Sequence, residues 1–278
     1  MRLKLLAVLL TAGLATSLPA NAFDLGNLDL NKVGNLLKNA TEATREMSES
    51  EEIKIGQELA STLLGASPLR KDAEEQRYVN LVGRYLAAQT ERPNLPWHFG
   101  VIDNMNINAF AAPGGYVFVT EGLMRQLRNE AELAGVLSHE IAHVLKKHHL
   151  HAIQKAAGTN MLADVAALAA KDDQKENVSK IFNLGRDLYL RGLDKDDEFE
   201  ADRIGVVIAA RAGYDPFGLP AVMQTLETLN PKNSSLALLF KTHPLPGARI
   251  DALDKAMGTQ FDQYADKPTL ANRFKKMG

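Results

Sequence analysis

Residues 130–150 contain no proline and a single glycine, and in their middle stands His139-Glu140-Ile141-Ala142-His143. A stretch of that length without breakers reads as one long helix. Four residues along a helix amount to about 40° of rotation and about 6 Å of rise, so both imidazoles leave the same face. Two nitrogens at that spacing suit a single zinc ion with bonds of about 2 Å. Glu140 then falls beside the ion, placed to take a proton from a water. The plain alternative is a helix with two surface histidines. A catalytic zinc site, by contrast, needs a third protein ligand and one open position. The fold must therefore bring a second element against this helix.

His149 stands ten residues after His139, the spacing of H-E-x-x-H-x-x-G-x-x-H, but Lys146 replaces the glycine that turns such a chain. On a straight helix His149 lies about 9 Å beyond His143 and off its face, so it is not a ligand. His148, His149 and His151 read instead as a solvated helix end, where imidazolium suits the dipole. His98, on an expected strand, reads as structural. The acidic run 194–202 is the better source. Glu198 and Asp202 are spaced i,i+4, so one can bind the metal while the other accepts the outer N–H of a ligating histidine and fixes its tautomer. Ala201, Gly205 and Ala209 make a small-residue stripe that lets this helix approach the first closely. Glu200 lies about 200° around from Glu198 and is expected to face outward. Asp194, Asp196 and Asp197 read as acids favoured by a helix N-terminus.

The chain has 278 residues, 45% of them hydrophobic, enough for a substantial core. With 32 Lys+Arg against 34 Asp+Glu, the net charge of −2 makes no case for nucleic acid as a partner. The absence of cysteine excludes disulfides, thiolate metal sites, cysteine nucleophiles and cysteine lipid anchors. Arg2 and Lys4, an apolar run over 5–18 and Ala20-Asn21-Ala22 predict a signal peptide over 1–22. An uncleaved anchor is the alternative, but the apolar run is short for a spanning helix. No later segment is apolar for long enough to cross a membrane; 161–170 is short and contains Asp164. An N-terminal helical arm is expected over 23–50, with Leu30, Val33, Leu36, Leu37 and Ala40 at helical spacing, and one domain over 51–278. Within it, helices are expected over 51–64 and 71–88, then strands over 97–102, 116–119 and, between them, 106–111. Helix dominates from residue 121, with Asp215-Pro216 as a helix start. The fold class is α+β, predominantly helical, with a small antiparallel sheet.

His139-Glu140-x-x-His143, followed 55 residues later by Glu198-x-x-Ala201-Asp202, resembles the gluzincin metallopeptidases that include HtpX and the CAAX prenyl proteases. Asn108-Ala109-Phe110-Ala111, Pro113-Gly114-Gly115, Val117-Phe118-Val119, Gly122-Leu123 and His243-Pro244 with Arg249 fit the same pattern. The resemblance covers roughly residues 51–256. It implies a zincin-like metallopeptidase domain holding one Zn²⁺ per chain on His139, His143 and Glu198, with Glu140 as general base. It further implies that 108–111, with Asn108, Ala109 and Phe110, is an edge strand that lines the cleft and pairs with extended substrate. His243 and Arg249 are implied near the oxyanion or behind the ligands. For His243 three roles stay open: transition-state help, occupation of the open zinc position, or packing alone. The best-known members are integral membrane proteins. This chain is instead similar to the soluble periplasmic branch of the β-barrel assembly-enhancing protease, without its tetratricopeptide domain. By that analogy it is an exported endopeptidase of the bacterial periplasm. Its substrates would be unfolded or misfolded envelope polypeptides, and its partner the outer-membrane protein assembly machinery. The competing expectation is a zinc-stabilised chaperone or assembly factor with little turnover, against which Glu140 argues, since a structural site needs no free carboxylate there.

Overall fold

The structure, a computed structural model, describes residues 47–153, 192–229, 234–264 and 266–274. The expected signal over 1–22, the apolar positions of the arm and the segment 161–170 lie outside the described residues. Helix α1 (Glu49–Ala66) begins where Ser48 and Glu51 cap each other. Ser48 N donates to the Glu51 carboxylate at 2.9 Å and Glu51 N to Ser48 Oγ at 3.4 Å. Asp72 caps α2 (Ala73–Ala87) by accepting from Glu74 N and Glu75 N, each at 3.0 Å.

Three strands follow, β1 (His98–Ile102), β2 (Ala109–Ala112) and β3 (Tyr116–Thr120), in the order β1-β3-β2. The sheet is mixed rather than antiparallel throughout: β2 pairs antiparallel with β3, but β1 and β3 are parallel. The chain reverses once between β1 and β2 and again at the 113–115 turn, and two reversals restore β3 to the direction of β1. Gly114 sits in that turn at φ +76, and a Cβ there would meet Ile53 Cα at 2.6 Å, so both the conformation and the approach of α1 demand glycine. β2 is left at the edge of the described sheet.

After the short α3 (Glu121–Met124) comes α4 (Glu130–Leu145), capped by Asn129 Oδ1, which accepts from Glu132 N at 2.9 Å. Every residue of α4 from Glu130 to Val144 is buried. Leu133, Leu137 and Ile141 enter the main core with Val79, Val82 and Leu86 of α2 and Val117 and Val119 of β3. Each such side chain stabilises the fold by roughly 1.5–3 kcal/mol relative to exposure. The opposite face of α4 is covered by α5 (Lys195–Arg211) and α6 (Gly218–Thr228). The helix start expected at Asp215-Pro216 falls two residues later, because Gly218 N bonds back to Asp215 O and Phe217 N to Asp215 Oδ1, making a turn first. Helices α7 (Ala237–Thr242) and α8 (Pro246–Met257) close the fold.

The single helix expected over 130–150 is broken. α4 stops at Leu145, Lys146 and Lys147 form a turn with Lys147 at φ +55, and helix resumes at 148. A left-handed residue after a helix end reverses the chain whether or not it is glycine. Among the described residues no helix is long and apolar enough to cross a membrane.

Candidate metal centre

His139 and His143 stand one turn apart on α4, buried, with their Nε2 atoms 3.0 Å from each other. From α5, Glu198 brings Oε2 to 3.7 Å from His139 Nε2 and Oε1 to 3.5 Å from His143 Nε2. The approach depends on Gly205, where a Cβ would stand only 3.0 Å from His139 N. From the loop between α7 and α8, His243 Nε2 lies 3.8 Å from Glu198 Oε2. One ligand atom from each of His139, His143, Glu198 and His243 falls within 4.8 Å of every other.

This donor set fits a divalent metal. Both Glu198 oxygens are buried without a hydrogen-bond partner, the nearest charge being Arg249 Nη1 at 3.8 Å, so the lone pairs facing the two imidazoles are free to bind a cation. Burial pushes the Glu198 carboxyl up to about 8, with Arg249 opposing and Asp202 reinforcing the shift. Burial also holds His139, His143 and His243 below the ordinary imidazole range, so all three offer neutral lone pairs.

Behind the ligands, His139 Nδ1 is 2.9 Å from Asp202 Oδ1. Arg249 Nε donates to Asp202 Oδ2 at 2.9 Å and Nη2 to Oδ1, while Nη1 stands 3.8 Å from Glu198 Oε2. Burial alone would raise the Asp202 carboxyl, but the charge and hydrogen bonds of Arg249 and the bond from His139 hold it well below the usual range. An ionised Asp202 accepts the Nδ1–H of His139 and turns its Nε2 lone pair toward the ligand cluster. The Thr242 hydroxyl stands 2.9 Å from Leu238 O and 2.9 Å from His243 Nδ1. With the hydroxyl proton given to the carbonyl, Nδ1 of His243 is the donor and its Nε2 an acceptor.

Glu140 lines a narrow cleft with Ala109, Phe110 and Ala111 of β2, together with Glu198, His149 and His243. Burial pushes its carboxyl up to about 8 against the pull of Arg249. Asn108 does not line that cleft. Its N–H donates to Thr120 Oγ1 at 3.0 Å, and both polar atoms of its buried side chain lack a hydrogen-bond partner.

The three histidines expected as a solvated helix end are placed differently. The turn at Lys147 folds His148 back into the protein, 3% exposed, with its Nδ1 2.9 Å from His143 Nδ1. His149 comes within 5.4 Å of the His143 ring, centroid to centroid, and joins the cleft wall without entering the converging ligand set. Only His151 is exposed. The side chain of Glu200 is 35% exposed, as expected of an outward-facing residue, but it also reaches His148 Nε2 at 3.1 Å. His98 is exposed on β1 and stacks on Tyr116 at 4.9 Å.

The profile of Peptidase family M48 matches residues 73–257. The chain is 32% identical over 223 residues to the beta-barrel assembly-enhancing protease of Escherichia coli K12, covering 78% of this chain and 46% of that one. The corresponding Yersinia pestis protein is 31% identical over 241 residues, covering 84% and 48%. The mitochondrial metalloendopeptidase OMA1 of Schizosaccharomyces pombe is 30% identical over 178 residues, covering 64% and 52%. The chain thus spans about half the length of these relatives.

Proposed function

The chain belongs to peptidase family M48, and on that premise we propose that it is a metalloendopeptidase that cleaves unfolded or misassembled envelope proteins in the bacterial periplasm, with zinc held by His139, His143 and Glu198. The observation that carries the site assignment is the convergence of two imidazole nitrogens on a buried carboxylate that makes no hydrogen bond, with Glu140 on the adjoining cleft wall. Two imidazoles and one carboxylate are a donor set suited to catalytic zinc. The compartment and the substrate class follow from the predicted signal over 1–22 and from the assembly function in the names of the bacterial relatives.

Zinc bound there would supply a Lewis acid that polarises the scissile carbonyl and acidifies a water. Glu140 takes the proton of the attacking water and returns it to the leaving amine. Asp202 holds His139 in the ligating tautomer, and Arg249 holds Asp202 ionised; Arg249 is therefore a positioning residue. β2, at the sheet edge beside Glu140, is the surface on which an extended substrate would add as a strand through Ala109 and Phe110, with Asn108 leading into it. Backbone pairing of that kind selects for extended chain more than for sequence. A second role is favoured for His243. With Nδ1–H given to Thr242, its Nε2 can fill the open position and hold the enzyme idle until substrate displaces it.

Digestion of casein by the purified protein, with Glu140→Gln run alongside and metal content measured on both, tests this reading. Internal cleavage with about one zinc per chain is expected. The variant should lose about 10²–10⁴-fold in rate at unchanged metal content. A variant as active as the parent would remove Glu140 as the base, and a different metal in active protein would overturn zinc.

A further inference from the structure

We propose that His148 and Glu200 form a positioning relay that fixes the tautomer of His143 and so sets the affinity of the centre for its metal. The proposal rests on the metal-site reading above.

His139 has a carboxylate at its Nδ1, Asp202, but among the described residues no carboxylate stands at Nδ1 of His143. The atom behind His143 is His148 Nδ1, at 2.9 Å from His143 Nδ1. Two ring nitrogens at that distance share one proton between them, and the ligand role of His143 decides where it sits. If His143 Nε2, which faces Glu198 and His139, gives its lone pair to the metal, then a neutral His143 carries its proton on Nδ1 and donates it to His148. His148 Nδ1 must then be an acceptor, which puts the proton of His148 on Nε2. Glu200 Oε2 stands 3.1 Å from that nitrogen, in place to accept. The other oxygen of Glu200 is held by Lys146 Nζ at 2.9 Å, which fixes the carboxylate in this orientation. With both rings neutral, each of the two contacts in the line His143–His148–Glu200 pairs a donor with an acceptor only if His143 is in its ligating tautomer.

The sequence supplies the parts from two places. The left-handed Lys147 turns the chain so that His148 falls over His143, Lys146 precedes that turn, and Glu200 comes from α5, two residues beyond the ligand Glu198. One helix therefore carries a ligand for the metal and the end of the relay behind another ligand. Asp197 Oδ1 lies 3.7 Å from His148 Nε2 and is the nearest substitute acceptor.

The test is zinc affinity by competition with a chromophoric chelator, measured on the wild type, His148→Ala, Glu200→Ala, Glu200→Gln and Asp197→Ala/Glu200→Ala. Loss of an outer partner of a ligating histidine typically weakens metal binding by about 10–100-fold, which is the loss expected for His148→Ala and for the double variant. Glu200→Ala alone should lose less, because Asp197 can take the bond. Glu200→Gln should stay near wild type, since its amide oxygen still accepts. The histidine ¹⁵N spectrum of the zinc-loaded protein should show His148 protonated on Nε2. Wild-type affinity in both His148→Ala and the double variant, or His148 protonated on Nδ1, would overturn the relay while leaving the zinc site intact. A wild type that binds no zinc would instead overturn the metal reading and the relay with it. Asp197 and Glu200 lie at the surface, each 35% exposed, so the double variant and the glutamine rescue decide the matter even if His148→Ala does not fold.

Discussion

At the scale of single residues, the difference between His243 as catalyst and His243 as plug lies in one proton. A side chain that stabilises an oxyanion must offer N–H toward the reacting carbonyl; if His243 gives its N–H to Thr242 instead, a lone pair faces Glu198. Replacing His243 by Ala is therefore expected to raise the rate on casein by a few-fold, up to about tenfold if displacement of the imidazole costs about 1.4 kcal/mol. A slower variant with full metal content would return His243 to transition-state duty. Single residues also mark where the sequence could be read and where it could not. Glu198 and Asp202 were legible because i,i+4 spacing on a helix is a geometric constraint that two acids either meet or miss. His148 was not, because its position depends on Lys147 adopting φ +55, a conformation for which glycine or asparagine is the usual signal. The five-residue gap from His143, with a glutamate two residues past a ligand, is the only trace of it in the chain.

At the scale of elements, α4 is held at its start by a buried polar cluster around Glu130. Glu130, fully buried, accepts from Tyr78 Oη of α2 at 2.7 Å and from Tyr214 Oη beyond α5 at 2.8 Å, and Arg273 Nη2 lies 3.2 Å away. Burial and the neighbouring carboxylate raise both phenols above the ordinary tyrosine range. The unfolded chain loses those protons near pH 10 while the folded chain keeps them, so it is the folded state that binds more protons there and stability falls as pH rises above about 10. The double variant Tyr78→Phe/Tyr214→Phe is expected to show a flatter alkaline limb in chemical denaturation. Near neutral pH it should be less stable by about 1–3 kcal/mol for each bond removed from the buried Glu130. An alkaline limb as steep as the wild type's would show that these phenols are not what titrates. The helices were legible from apolar spacing and from the Gly and Pro breaks, since both are local, whereas the cap read at Asp215 lies two residues before Phe217, the N-cap of the helix it was expected to start. The parallel pairing of β1 with β3 was not, because strand direction depends on how the 103–108 loop and the 113–115 turn combine, and neither encodes it alone.

At the scale of the whole molecule, the centre is an assembly of three distant stretches. α4 provides His139, Glu140 and His143; α5 provides Glu198 and Asp202; the α7–α8 loop and α8 provide His243 and Arg249. What lets them meet is the full burial of α4, which leaves room on its ligand face only for a helix with glycine at the contact, as α5 has at Gly205. The most direct test of this account is anomalous diffraction at the zinc edge from crystals of the zinc-loaded protein. One peak is expected, at about 2.0–2.2 Å from Nε2 of His139, Nε2 of His143 and a carboxylate oxygen of Glu198. A zinc peak bonded elsewhere, or none among these side chains, would contradict it.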